Sequence, residues 1–221
     1  MVISEACLII FNMDKFAGIT EGITDQKVIS NILIGFFNDR NITINWLQPP
    51  KIGKSGGYGE VFKYCRSRRF RKAFDDHEYV IIHIDSDISS RFNVFHQDEN
   101  GKLLTPEQLI EKVIDKFRSD IGEDFYDQNA SRIIFAIAVH SIECWLLPLC
   151  LPEKKAEIDD CMNILKRDLP NFQPKDHKYY QEISMEYANK SSLLKLYPEN
   201  PSLKIFIEQL ESKNIEISQE S

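Results

Sequence analysis

Tyr79-Val80-Ile81-Ile82-His83-Ile84-Asp85-Ser86-Asp87 is the stretch on which the fold turns. A short, almost unbroken apolar run that ends in two carboxylates reads as a buried strand delivering acids to its carboxyl end. Ile133 to Val139 is more apolar still and is expected to lie mid-sheet, with helices over both faces. Phe16 to Thr20 reads as another strand. Cys7-Leu8-Ile9-Ile10-Phe11 before it is either a separate strand or the first half of one interrupted element. Ile42, Ile44 and Trp46 alternate with polar residues, as in a half-buried strand, until Pro49-Pro50 stops the pattern.

Helical periodicity fills the gaps between these runs. Val28, Ile29, Ile32, Leu33, Phe36 and Phe37 recur at helical spacing from Asp25 to Phe37, with Thr24 or Asp25 as N-cap. Gly53-Lys54-Ser55-Gly56-Gly57-Tyr58-Gly59 is a turn leading into a helix. After a polar loop from Ser89 to Lys102, Thr105-Pro106-Glu107 opens the next one, with proline in its preferred first position. Beyond Val139 only helices are expected, near Ser141 to Leu149, Lys154 to Asp168, His177 to Ala188 and Pro201 to Ser212. The alternation predicts an α/β fold: an open, mainly parallel sheet flanked by helices, with an α-helical C-terminal extension. Residues 1–150 form the α/β domain, and residues 151–221 form the extension packed on it.

Composition narrows the class. With 43% hydrophobic residues in 221, the chain can close a sizeable core, which excludes wholesale disorder. No apolar run approaches the length needed to span a bilayer, and no basic segment followed by a long apolar stretch marks the N-terminus. Five cysteines without a Cys-x-x-Cys pair argue against a disulfide framework or a zinc ribbon, so reduced thiols in a cytoplasm are expected.

The net charge of −7 is unevenly spread. Lys51, Lys54, Lys63, Arg66, Arg68, Arg69, Arg71 and Lys72 face a single acid, Glu60, within that stretch. Such a segment can hold phosphates while the whole protein stays acidic; the plainer alternative is a solvated helix face.

In an open α/β sheet the ligand crevice lies beyond the carboxyl ends of the strands. Three sets of acids fall there: Glu21 after the Phe16 strand, Asp85 and Asp87 after the Tyr79 strand, and Glu143 just past Val139. The two-residue period points Asp85 and Asp87 to one side, and close carboxylates call for a hard cation such as magnesium or manganese. Each also has a structural alternative: a loop cap for Asp85 and Asp87, a helix start for Glu21 and Glu143. His83, His140 and His177 lack metal-ligand spacing, and His83 reads as a satisfied core histidine. Cys144 reads as a buried structural thiol. Gly53-Lys54-Ser55 lacks the spacer and the preceding strand of a nucleotide-binding loop.

Glu21-Gly22-Ile23-Thr24-Asp25 after one strand and Asp85-Ser86-Asp87 after a later one resemble the Toprim signature. Ser141-Ile142-Glu143-Cys144-Trp145-Leu146-Leu147 resembles the segment after the last strand in RloB-like and related Toprim-type proteins of bacterial phage-defence loci. The resemblance runs from Phe16 to Leu149, with an echo at Tyr187 to Lys190. His140-Ser141 stands where an asparagine-proline pair is usual, and Met1 to Asp14 precede the motif strand.

The resemblance implies a magnesium- or manganese-dependent nuclease of phage defence, acting on nucleic acid, with DNA favoured over RNA. Asp85 and Asp87 would hold metal, Glu21 would be a ligand or general base, and Glu143 would complete a second ion site. Lys190 would stabilise the phosphate under attack, and the Lys51–Lys72 segment would hold the strand. A separately encoded ATPase is the implied partner, a homo-oligomer is possible, and no membrane association is expected. Two alternatives remain open: a non-catalytic binding subunit of an ATPase complex, and an enzyme acting on a phosphorylated small molecule.

Overall fold

The computed structural model describes residues 14 to 217, so the Cys7–Phe11 run lies outside the described residues. In chain order the elements are β1 (Asp14–Ile19), α1 (Ile23–Phe37), β2 (Ile44–Gln48), α2 (Tyr58–Cys65), α3 (Arg68–Asp76), β3 (His77–Asp85), α4 (Pro106–Ile121), α5 (Glu123–Asn129) and β4 (Ile133–Ala138). Then come α6 (Glu143–Cys150), α7 (Cys161–Asp168), α8 (His177–Ile183), α9 (Lys190–Leu196) and α10 (Pro201–Ser212). The four strands pair in parallel in the order β2-β1-β3-β4. The α/β class, the open parallel sheet and the helical extension are as the sequence predicts.

Strand alternation divides the core in two. Phe16, Ile81, Ile134, Ala136 and Ala138 point to one face, under α1, α6 and the C-terminal helices. Ala17, Ile19, Val80, Ile82, Ile84, Ile133, Phe135 and Ile137 point to the other, under α2, α3 and α4. The C-terminal helices therefore share a core with the sheet. Gly35 shows how closely: a Cβ there would lie 1.9 Å from the Tyr187 carbonyl oxygen, so only glycine lets α1 meet the segment before α9.

Several expectations are corrected. Among the described residues β4 is an edge strand, not a central one. Its apolar run is buried by helices on both faces, and on its open edge the Phe135 N–H donates to the side-chain oxygen of Gln209 in α10. Helix α1 is capped by Gly22, while Asp25 accepts the Gly22 N–H from inside the first turn at 2.7 Å. The basic segment forms two helices rather than one, because Ser67 caps α3 through its hydroxyl, which accepts the Phe70 N–H at 3.3 Å. The expected Lys154–Asp168 helix starts at Cys161, and α9 was not anticipated.

The cysteines differ from expectation too. Cys144 and Cys161 form a disulfide, with Cα atoms 5.1 Å apart, whereas Cys65 and Cys150 are free. The pairing joins the first turn of α6 to the start of α7, a proximity that helix packing creates and sequence spacing does not reveal. Among the described residues no helix is long and apolar enough to cross a membrane.

Candidate active site

A cleft of about 750 Å³ opens at the carboxyl ends of β1, β3 and β4. Glu21, Asp85, Asp87 and Glu143 all line it, so the fold brings together the four carboxylates singled out from three separate segments. Parallel strands make this possible, since each releases its next residue at the same end of the sheet. The strand ends are laced together. Ser86 N–H donates to Ala138 O at 3.1 Å, Asp87 N–H to His140 O at 2.9 Å, and His140 N–H to the Ser86 hydroxyl at 2.9 Å.

Glu21 follows β1 and accepts the Asp85 N–H at 2.9 Å. Asp85, the last residue of β3, accepts the Ile142 N–H through Oδ1 at 2.9 Å. Asp87 lies in the turn beyond the strand, so convergence comes from that turn and not from strand period. Glu143 opens α6, only 6% exposed, and accepts the Tyr180 hydroxyl at 2.5 Å. The second oxygens of Glu21, Asp85 and Glu143, and both of Asp87, take no hydrogen bond from the described residues.

Crowding shows in the proton affinities. Burial pushes the Glu21 carboxyl up to about 7; the Asp85 N–H and His83 pull it down, while Asp25 and Asp87 add to the rise. Burial likewise holds the Asp85 carboxyl well above the usual range, against the counter-pull of His83. His83 is fully buried. Its Nδ1 lies 2.6 Å from Ala136 O, and a carbonyl only accepts, so Nδ1 carries a proton. Its Nε2 lies 3.4 Å from Asp85 Oδ1 and 3.7 Å from Asp25 Oδ2 without an aligned hydrogen bond. Burial disfavours a charged ring, but Asp85, Asp25 and Glu21 outweigh it and raise the imidazole to about 9. His83 is buried in the core as expected, but it is not satisfied there: its Nε2 has no hydrogen-bond partner among the described residues and faces the acids.

The donor set suits a hard divalent cation: carboxylate oxygens that take no hydrogen bond from the described residues, the raised proton affinities of Glu21 and Asp85, and a common cleft. Among the described residues no three His, Cys, Asp or Glu side chains stand in a metal-holding group, so ligating an ion here would require these side chains to reorient.

Lys190 is not among the cleft residues. It opens α9 and borders a different hollow with Asn38, Asp39 and Arg40, past the end of α1. Helix α1 starts at the cleft and its 15 residues carry the chain about 22 Å away from it. Lys175, His177 and Tyr180, from the C-terminal extension, line the cleft instead. Nothing local marks these residues: they reach the cleft by tertiary packing alone.

The basic segment begins at the rim. Ile52 and Gly57 line the cleft, and the Gly57 N–H donates to Glu21 O at 2.8 Å. A Cβ on Gly56 would lie 2.1 Å from that same oxygen, so glycine is required for the loop to reach it. Lys51 and Lys54 are exposed on this loop. Further on, Arg66 is held by Asp120 at 2.7 Å, and Lys63 pairs with Glu60 at 3.2 Å. Arg71 donates to Ile121 O at 2.8 Å and covers the Phe125 ring. Arg68, Arg69 and Lys72 are exposed and make no ion pair with the described residues. The basic run thus splits into braces between helices and a free strip. No family model, characterised protein or solved structure matches the chain.

Proposed function

We propose that the chain is a magnesium- or manganese-dependent nuclease of the Toprim type, hydrolysing phosphodiester bonds in nucleic acid, DNA before RNA. One observation carries this reading: Glu21, Asp85, Asp87 and Glu143 line a single cleft whose rim is the start of the basic segment. Asp85, Asp87 and Glu143 would hold the cation, which would neutralise the crowded acids and polarise the phosphodiester. Glu21, with its carboxyl near 7, is poised to take a proton from an attacking water at neutral pH. Lys51, Lys54, Arg68, Arg69 and Lys72 would hold the strand, and Lys175 replaces Lys190 as the lysine at the cleft. A role in phage defence beside a separately encoded ATPase rests on the family resemblance. The test is cleavage of plasmid DNA by the purified protein with manganese. Loss of cleavage in EDTA and in Asp85→Asn supports the reading, and full activity in EDTA overturns it.

A second reading has its own support. A cleft of about 750 Å³, walled by Met162, His177 and Tyr180, is of small-ligand size. It favours an enzyme acting on a phosphorylated small molecule, and metal-dependent release of phosphate from nucleotides without plasmid cleavage would select it.

A further inference from the structure

Cys144 and Cys161 are both buried, at 0% and 1% exposure, and their disulfide bridges two parts of the cleft. Cys144 follows Glu143, which is fixed to Tyr180, and Cys161 precedes Met162 on the cleft wall. Between them, residues 151–160 form a mostly exposed loop. Leu151 at its start is buried and Ile158 packs against the edge of the core; its remaining tethers are ion pairs at the surface: Asp159 with His140 at 3.0 Å, Lys154 with Asp168 at 2.9 Å and Lys155 with Glu199 at 2.9 Å. Exposed pairs of this kind hold weakly. Past Cys161, the buried Ile164 and Leu165 anchor the rest of α7, so any loosening is confined to the loop and the first turn.

We infer that the Cys144–Cys161 bond is a redox latch: closed, it seats the Met162 wall against α6, and opened, it frees residues 152–162 and weakens binding in the cleft. Reaction with a dithiol such as dithiothreitol balances simply. When local opening of the loop exposes the buried Cys161 sulfur, one reductant thiolate attacks it and expels the Cys144 thiolate, which takes up a proton. The second reductant thiolate then attacks the mixed disulfide and expels Cys161, so the reductant is oxidised to its cyclic disulfide and both cysteines end as thiols. Cys150 stays out of the exchange, since burial pushes its thiol up to about 11.

The consequence for the ligand rests on the cleft being a metal site. The experiment compares the full chain oxidised with the chain reduced by dithiothreitol and exchanged into reductant-free buffer under argon. Peptide mapping assigns the bond, trypsin cleavage after Lys154 and Lys155 reads the loop, and calorimetry reads manganese affinity. If the wall is seated a tenth of the time once open, manganese affinity falls about tenfold, and trypsin cleavage rises with it. The double variant Cys144→Ala/Cys161→Ala should match the reduced chain and ignore dithiothreitol, whereas Cys150→Ser should respond like the parent. Equal trypsin rates in the two states overturn the latch, as does faster cleavage with unchanged manganese affinity. Manganese bound in neither state removes the metal reading instead, and the trypsin comparison then decides the latch alone.

Discussion

Changing Asp85 to Asn removes one charge from a crowded set while keeping the oxygen that accepts the Ile142 N–H. The folded protein should be about as stable, because relief of repulsion among the acids is offset by loss of the anion nearest buried His83. The same change should abolish metal-dependent cleavage and the rise in melting temperature that manganese gives the parent. A loop-capping Asp85 predicts the reverse, a loss of about 1 kcal/mol with activity intact. Melts with and without manganese, beside a cleavage assay, separate the two. The neighbouring groups set a pH dependence of definite sign. Glu21 keeps its proton to about 7 in the fold against an ordinary 4.5, so the unfolded chain ionises first and stability declines as pH rises between those values. His83 acts the same way: its proton is held to about 9 against 6.5, so its contribution is full below 6.5 and lost as pH rises through about 9. Urea unfolding at pH 5, 7 and 9 should give falling stability, and Glu21→Gln should flatten the part between pH 5 and 7. A profile that rises from 5 to 9 would remove both assignments.

Helices α2 and α3 carry basic residues with two distinct jobs. Arg68→Ala, Arg69→Ala and Lys72→Ala together should weaken nucleic-acid binding and lower the log-log salt slope by about 0.9 for each phosphate left unneutralised on duplex DNA. Stability should hardly change, since these side chains brace nothing. Arg66→Ala should do the opposite, loosening α2 from α4 at Asp120 with a smaller effect on the salt slope. An unaltered slope in the triple variant would make the strip a solvated face. Helix α6 poses a different problem. Pro148 has no N–H to give the Cys144 carbonyl one turn back, and Asn200 supplies the missing donor from 3.2 Å. Tyr187 likewise donates to the Trp145 carbonyl, and Trp145 Nε1 donates to the Ser202 hydroxyl at 2.8 Å. Asn200→Ala leaves a buried carbonyl unpaired and removes the cap on Leu203, at a cost of about 1–3 kcal/mol in denaturant unfolding. A change below experimental error would show that α6 does not depend on Asn200.

At the scale of the whole molecule, the sequence reports burial well and neighbours poorly. The run Ile133 to Val139 announces a strand covered on both faces, yet α4 and α10 can provide that cover at a sheet edge as well as in its middle. The four carboxylates were legible because parallel strands end together, a rule that needs no side-chain detail. Lys190 was misplaced because its position depends on the downward course of α1, and Tyr180 was missed because it meets Glu143 across 37 residues of chain. The Cys144–Cys161 pair was hidden for the same reason. Lys190, Tyr180 and Cys161 all lie in the extension, which is woven into the core rather than appended to it. Leu193, Leu203, Phe206, Ile207 and Leu210 are all at most 1% exposed. At about 1.5–3 kcal/mol each, their burial is comparable to the about 5–15 kcal/mol net stability of a typical domain. Removing everything after Cys150 would also strip the donors from the Cys144 and Trp145 carbonyls, Tyr180 from Glu143 and Gln209 from the edge of β4. The truncated chain is therefore expected to lose its near-UV circular dichroism and its cooperative urea transition, and to bind no manganese. A sharp unfolding transition with near-native ellipticity in that truncation would show that residues 1–150 fold alone and that the extension merely decorates them.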